Sequence, residues 1–376
     1  MSVTGHAYPW DVLDDPGFAE RVLSLGVSEV TLAAAYHSTR AATPLHPRHQ
    51  VVEAPYAALY RPVRPEVWQG GRLAPRPASW LSEPDPFGTS ADLLQRSGLR
   101  VCAWIVLTHN SRLGAGNPDV AVTNCYGDRY SYALCPARAE VRAYAATLAA
   151  EAVAGVPVDG VSLEACGQLG LAHNSHHEKT EGAWRPAAAR LLSVCCCVAC
   201  RATWVARGLD PAEVTDVLRS AVAAEAAGAT GEVASDLAAE LLAARHEATD
   251  LLRAEVLSGL RAVAPDVTVS LHAHPDPWTT GASPGLTPTA AGDVDEVLVP
   301  AWPTTPGSAE AVGAAARSGV RTAAYVTVLA PTEEAELPAH VRRLVAAGAA
   351  GVALYHLGLA PRSRLRLFAQ LSTLLN

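Results

Sequence analysis

Short apolar runs alternate along this chain with longer amphipathic stretches, and the alternation is regular enough to suggest an architecture. SEVTLAAAYHS (28–38), VVEAPYAALY (51–60), LRVCAWIVL (99–107), VDGVSLE (158–164), VTVSLHAH (267–274), DEVLVPAWP (295–303), VRTAAYVTVL (320–329) and GVALYHLG (351–358) each read as a strand. Helical spacing fills residues 16–25, 90–97, 137–154, 308–318 and 332–347, and almost all of 184–262, with breaks at Gly208, Gly228 and Gly231. Eight strand-plus-crossover units predict an α/β protein, a closed (β/α)8 TIM barrel in one domain over residues 1–376, with a helical insertion after the fourth strand at about 183–250. The rival, an open doubly wound sheet, would want a G-x-G-x-x-G turn, and there is none. Residues 61–87 are proline-broken and too long for a simple connection, which suggests a functional loop, and 111–136 has no periodicity and reads as surface loop.

Composition narrows the function classes. The 376 residues are 49% apolar and 18% charged, as a large buried core requires. A net charge of −8 with no basic run argues against nucleic acid and against anionic membrane surfaces. No eighteen-residue apolar segment and no signal-like start occurs, so a soluble, cytoplasmic protein is expected.

In a barrel of this kind the catalytic groups sit at the C-terminal strand ends. Here those ends carry His37, Tyr60, His109 with Asn110, Glu164, His272 with His274, Trp302, Tyr325, and Tyr355 with His356. Aromatic faces mixed with imidazole, amide and carboxylate suit a polyhydroxylated ligand such as a sugar. Glu164 ends a buried strand and is followed within fourteen residues by His173, His176, His177 and Glu178, a concentration of titratable groups expected to border the pocket and to shift the pKa of Glu164. The bland readings are a Glu164 paired with Arg129 or Arg138, strand-end histidines that serve only structure, and a merely solvated histidine loop.

The succession AAYHSTR, AWIVLTHN, NCYGDRYSYALCP and VDGVSLEA, then HHEK and a C-x-C-x-x-C cluster, resembles poorly characterised glycoside-hydrolase-like barrels over about residues 30–200. The resemblance implies a general acid/base at Glu164, the glutamate at the end of the fourth strand. It also implies a nucleophilic glutamate on the seventh strand, but residues 320–329 contain no carboxylate. Asp276, Asp128 and Glu178 are the remaining candidates for the second carboxyl that the usual chemistry needs. His37, His109, Asn110, His173, His177, His272, Trp302, Tyr325 and His356 are the expected substrate contacts.

Two other classes stay open. His37, His109, Glu164, His272 and His274 could hold a catalytic divalent metal in a barrel hydrolase or isomerase, the H-x-H pair facing one way along a strand. A non-catalytic carbohydrate-binding barrel is the other. The leading reading needs no cofactor, but Cys195, Cys197 and Cys200 are spaced to share a structural zinc, with Cys166 or a loop histidine completing a tetrahedron; otherwise they are small buried hydrophobes.

Overall fold

The computed structural model describes residues 2–173, 178–180 and 182–375. Eight parallel strands close on themselves: β1 (Ser2–Ala7), β2 (Glu29–Tyr36), β3 (Arg100–Val106), β4 (Gly160–Glu164), β5 (Thr268–His272), β6 (Glu296–Pro300), β7 (Arg321–Thr327) and β8 (Gly351–Tyr355). Each pairs with its sequence neighbours, and β1 shuts the barrel by pairing with β8 through Val3↔Val352 and with β2 through Gly5↔Val30. The predicted α/β barrel is the fold.

One strand assignment needs correcting. The first barrel strand is Ser2–Ala7, whereas Val51–Ala54 lies outside the barrel in an antiparallel hairpin with Thr39–Ala42. SVTGHA has a single large apolar side chain, Val3, so it carries little apolar signal and is held by pairing on both edges. At Gly5 a Cβ would stand 2.7 Å from Leu357, so the close approach admits only glycine. Tyr60 is consequently not at a barrel strand end; it is fully buried behind Trp10, the ring centroids 5.8 Å apart.

The stretch expected as irregular loop at 111–136 is also ordered. It holds a helix (Ser111–Gly116) and a hairpin of Ala121–Thr123 with Arg129–Leu134. Asn110 starts the helix, its Oδ1 accepting from Leu113 N at 3.0 Å, which satisfies one of the free amides of the first turn.

Between β4 and β5 the described residues form four helices, Pro186–Leu192, Val198–Ala206, Pro211–Ala226 and Ser235–Val263. Breaks at Gly208 and Gly228 coincide with left-handed backbone there. Leu192, Trp204, Val214, Leu218 and Leu241 make a second core, separate from that of the barrel. Arg253 fastens the long helix to the loop after β5: it is fully buried and donates to Asp293, Asp250, Thr287 and Thr289. An apolar groove in this region, lined by Leu191, Leu218, Val233, Leu241 and Trp278, has Arg190 as the one charged group of its lining. No helix among the described residues is long and apolar enough to cross a membrane.

Candidate active site

Glu164 is the last residue of β4, and every residue of that strand is buried. Directly before Ala165, whose backbone is left-handed (φ 53°), stands the Glu164 carboxyl. Its Oε2 accepts a 2.8 Å hydrogen bond from Trp104 Nε1, donated by the neighbouring strand β3. Burial pushes the carboxyl up to about 7, with the Trp104 bond working in the opposite direction. The arginine pairing considered for it does not occur: Arg138 binds Asp119 and Glu140, and Arg129 is exposed at the start of a hairpin strand. Among the described residues no histidine contributes to this shift.

Among the described residues five carboxyls are buried: Asp11, Asp15, Glu151, Glu164 and Glu225. Asp15, Glu151 and Glu225 are each paired with an arginine, namely Arg21, Arg64 and Arg185. Glu164 and Asp11 have no such partner, and only these two buried carboxyls have pKa values pushed up, which sets them apart as candidates for chemistry.

Around Glu164 the strand ends supply aromatic rings. Trp104 meets Tyr36 of β2 (centroids 4.5 Å apart), His6 of β1 (4.8 Å) and Tyr8 just beyond β1 (6.0 Å). On the opposite side Trp302, Tyr325 and Tyr355 stand 5.0–6.0 Å from one another. Burial raises the phenols of Tyr36, Tyr325 and Tyr355, and the Glu164 charge adds to each shift, so all three border the carboxyl and stay protonated at neutral pH. His272, on β5, bonds Ser162 through Nε2 at 3.0 Å and is held neutral by burial, its pKa about 3.

Asp11 is a residue the strand-end inventory missed, because Ser2–Ala7 was not read as a strand and the residues after it were not placed on the rim. Its Oδ2 accepts from Tyr8 N at 2.8 Å and lies 3.8 Å from His356 Nδ1. That imidazole is fully buried and neutral, its Nδ1 accepting from Gly358 N. Burial carries Asp11 up to about 8. Gly358 packs so closely that a Cβ there would stand 2.0 Å from the Asp11 carboxyl. Asp11 thus sits behind the wall formed by Tyr8 and His356, whose rings are 4.3 Å apart. His6, Tyr8 and Trp104 were missed as well; Trp104 lay in plain view in AWIVL but inside a strand, not at its end.

An outer, half-exposed layer of imidazoles lies above. His37 packs against Tyr36 and His109 (centroids 4.1 and 4.4 Å), and His109 Nε2 meets His173 Nε2 at 3.0 Å. His173 stacks on Tyr132 and has Glu178 Oε2 3.5 Å from its Nδ1. The histidine loop does border the mouth through His173; His176 and His177 lie outside the described residues. Asn110 is buried, and its amide is engaged by the Leu113 cap and by Tyr144.

The other proposed carboxyls are not gathered around Glu164. Asp128 is exposed in a hairpin turn and bonds Asn124; Asp276 bonds Arg190 at 2.7 Å and Trp278 N; Glu178 belongs to the histidine layer. β7 ends at Thr327, and Glu164 is the only acidic residue at the end of any barrel strand. The H-x-H pair does not converge, since His274 Nδ1 faces Asp276 N and Thr279 in the next loop while His272 turns to Ser162.

The cysteines converge differently from expectation. Cys135, at the end of the second hairpin strand, joins Cys195, Cys197 and Cys200, with sulfur separations of 3.6–3.7 Å to each of the three. All four ligand atoms lie within 4.8 Å of one another. Four sulfurs at about 2.3 Å from a tetrahedral zinc would stand about 3.8 Å apart, so the donor set fits that ion. Among the described residues the fourth member is Cys135, in place of Cys166 or a loop histidine; Cys166 is buried elsewhere, its thiol pushed up to about 12 by burial. The signal was present in SYALCP, but 60 residues separate it from Cys195.

No family profile and no curated protein matches the chain by sequence. Solved structures do share its fold. α-L-Fucosidase isoenzyme 2 from Paenibacillus thiaminolyticus aligns over 99% of this chain and 49% of its own, at 13% identity and a TM-score of 0.61. The catalytic domain of β-amylase from Paenibacillus polymyxa aligns over 98% and 97%, at 13% and 0.57. β-Galactosidase from Bacillus circulans sp. alkalophilus aligns over 99% and 55%, at 12% and 0.59. This chain spans about half the length of the fucosidase and the galactosidase. The likeness is to the barrel that glycoside hydrolases use, in line with the resemblance read from the sequence.

Proposed function

We propose that this barrel is a glycosidase, acting on a carbohydrate or glycoside, with Glu164 as general acid/base. One observation carries the reading: a buried carboxyl without a cationic partner, its pKa raised to about 7, ends β4 in a mouth lined by Trp104, Tyr36, Tyr325 and Tyr355. A carboxyl that is protonated at neutral pH can donate to a leaving glycosidic oxygen, and its conjugate base can then accept a proton from water. Ring faces bind the CH patches of a sugar, and the neutral imidazoles and phenols serve its hydroxyls. The His272 Nδ1 and His356 Nε2 atoms are buried without a protein hydrogen-bond partner.

Within this reading Trp302, Tyr325, His272 and His356 are inner substrate contacts and His37, His109 and His173 outer ones. The four cysteines hold a structural zinc that ties the second hairpin to the insertion and takes no part in turnover, because four thiolates leave no open coordination position.

The test is Glu164→Gln assayed on a panel of aryl glycosides. Turnover should fall by about 10²–10⁴-fold for leaving groups that need protonation, with the fold unchanged by circular dichroism. Equal activity of variant and wild type would remove Glu164 from the mechanism. Sugar binding by both forms with turnover by neither would favour the carbohydrate-binding barrel.

A further inference from the structure

A carboxylic acid has two oxygens, and for a general acid it matters which of them carries the proton. At Glu164 the fold distinguishes the two. Residues two apart on a strand face the same side, so Trp104, paired with Ser162 across β3 and β4, shares the inner face of the barrel with Glu164 two residues further on. Its indole Nε1 donates to Oε2 at 2.8 Å, and among the described residues this is the only hydrogen bond that the carboxyl makes. The ring itself is wedged. It is fully buried, with Tyr36 and His6 packed edge-on at 4.5 and 4.8 Å and His272 parallel to it within 5°.

We propose that Trp104 is the positioning residue of Glu164, holding Oε2 as an acceptor so that the acidic proton resides on Oε1 and passes from there to the leaving oxygen. This rests on the glycosidase reading above. An indole N–H only donates, and the carbonyl oxygen of a neutral acid accepts better than its hydroxyl oxygen, so the bond selects the form protonated on Oε1. The same bond strengthens when the proton leaves. Glu164 then carries the charge, and a hydrogen bond to a carboxylate is roughly twice as strong as one to an uncharged oxygen. Trp104 thereby opposes the burial that raises the carboxyl, stabilises the state that follows proton transfer, and makes the acid stronger without adding a cation. The described groups around it titrate outside its range. Tyr36, Tyr325 and Tyr355 face the carboxyl from β2, β7 and β8 with phenols raised by burial, while burial keeps His6 of β1 and His272 of β5 neutral.

The experiment follows the indole N–H of Trp104 by proton–nitrogen correlation in protein labelled with nitrogen-15 tryptophan, from pH 5 to 9. Its resonance is the one that Trp104→Phe removes or, should that variant not fold, the one displaced in Glu164→Gln. In the wild type it should shift with a single midpoint near pH 7, the Glu164 value, and in Glu164→Gln it should stay still. A wild-type signal fixed through this range would overturn the inference.

The kinetic arm uses phenyl and 2,4-dinitrophenyl glycosides, of which only the first need a proton on departure. Trp104→Phe keeps an aromatic ring and removes the N–H. Its kcat on phenyl glycosides should fall by about 10–100-fold, as loss of a hydrogen bond to a charged group gives, and the fall should be at least about tenfold smaller on the dinitrophenyl substrates. The alkaline limb of its rate profile should move up by about one pH unit, because the bond that favoured the carboxylate is gone. Equal losses on both leaving groups with an unmoved limb would reduce Trp104 to packing and overturn the inference, with Glu164 still the acid. Turnover of none of these glycosides by the wild type would sink the glycosidase reading, whereas a titrating indole would still uphold Trp104 as the residue that holds Oε2.

Discussion

At the scale of single residues, the two buried carboxyls make the fold sensitive to pH in a stated direction. Folding raises Glu164 from 4.5 to about 7 and Asp11 from 3.8 to about 8, mainly by desolvation. A raised carboxyl pKa means that the native state holds its proton more tightly than the unfolded chain does. The associated stability is therefore complete below the unfolded value and is lost as pH rises through the folded one. For Glu164 the full loss is on the order of 3 kcal/mol. Glu164→Gln, which cannot ionise, should show a melting temperature less dependent on pH between 5 and 8 and should exceed the wild type above pH 7. Parallel melting curves for the two proteins would mean that Glu164 is not desolvated. The wild-type rate should fall on the alkaline side as the acid near pH 7 is lost, and this limb is read directly from a pH–rate profile. Asn110 makes a contrasting case. Its side chain caps a helix, so Asn110→Ala should cost about 0.5–2 kcal/mol in urea unfolding, a helix-cap loss; a change confined to KM with stability intact would restore it as a substrate contact.

At the scale of elements, the second hairpin links two parts of the site. Its strand Arg129–Leu134 carries Tyr132, which stacks on His173 at 3.9 Å, and is followed at once by Cys135 among the three insertion cysteines. Cys135→Ser should lower both the melting temperature and the zinc content measured by plasma emission, because metal held only by the folded state adds its binding energy to stability. Cys166→Ser, at a buried thiol outside the cluster, should leave zinc content at wild-type level. Equal zinc in both variants, or none in the wild type, would reduce the cluster to packing.

At the scale of the whole molecule, the barrel is closed by its least apolar strand. β1 is joined through its backbone to β8 and β2, and at Gly5 it passes so near Leu357 that no side chain fits. Gly5→Val should force Leu357 or the strand aside, destabilise the protein by roughly 1–3 kcal/mol, and be seen as a lower urea midpoint with an unchanged slope. A neutral result would mean that the β1–β8 seam is loose.

What the sequence determined by itself was whatever is written in contiguous residues. Seven of the eight barrel strands stood out because buried parallel strands are continuous apolar runs, and Glu164 stood out because a carboxylate at the end of such a run is costly. The breaks in the insertion were legible for the same reason, glycine being what left-handed backbone selects. Tertiary structure alone decided the rest. SVTGHA is a strand only because two neighbours complete its hydrogen bonds, which leaves no mark in its own hydrophobic pattern, and with it His6, Tyr8 and Asp11 stayed hidden. Cys135 joined Cys195, Cys197 and Cys200 through a hairpin that periodicity did not reveal. Asp128 and Asp276 were taken up by a turn and an ion pair, since a carboxylate binds the nearest donors that folding brings to it, and sequence proximity to a strand end does not name them.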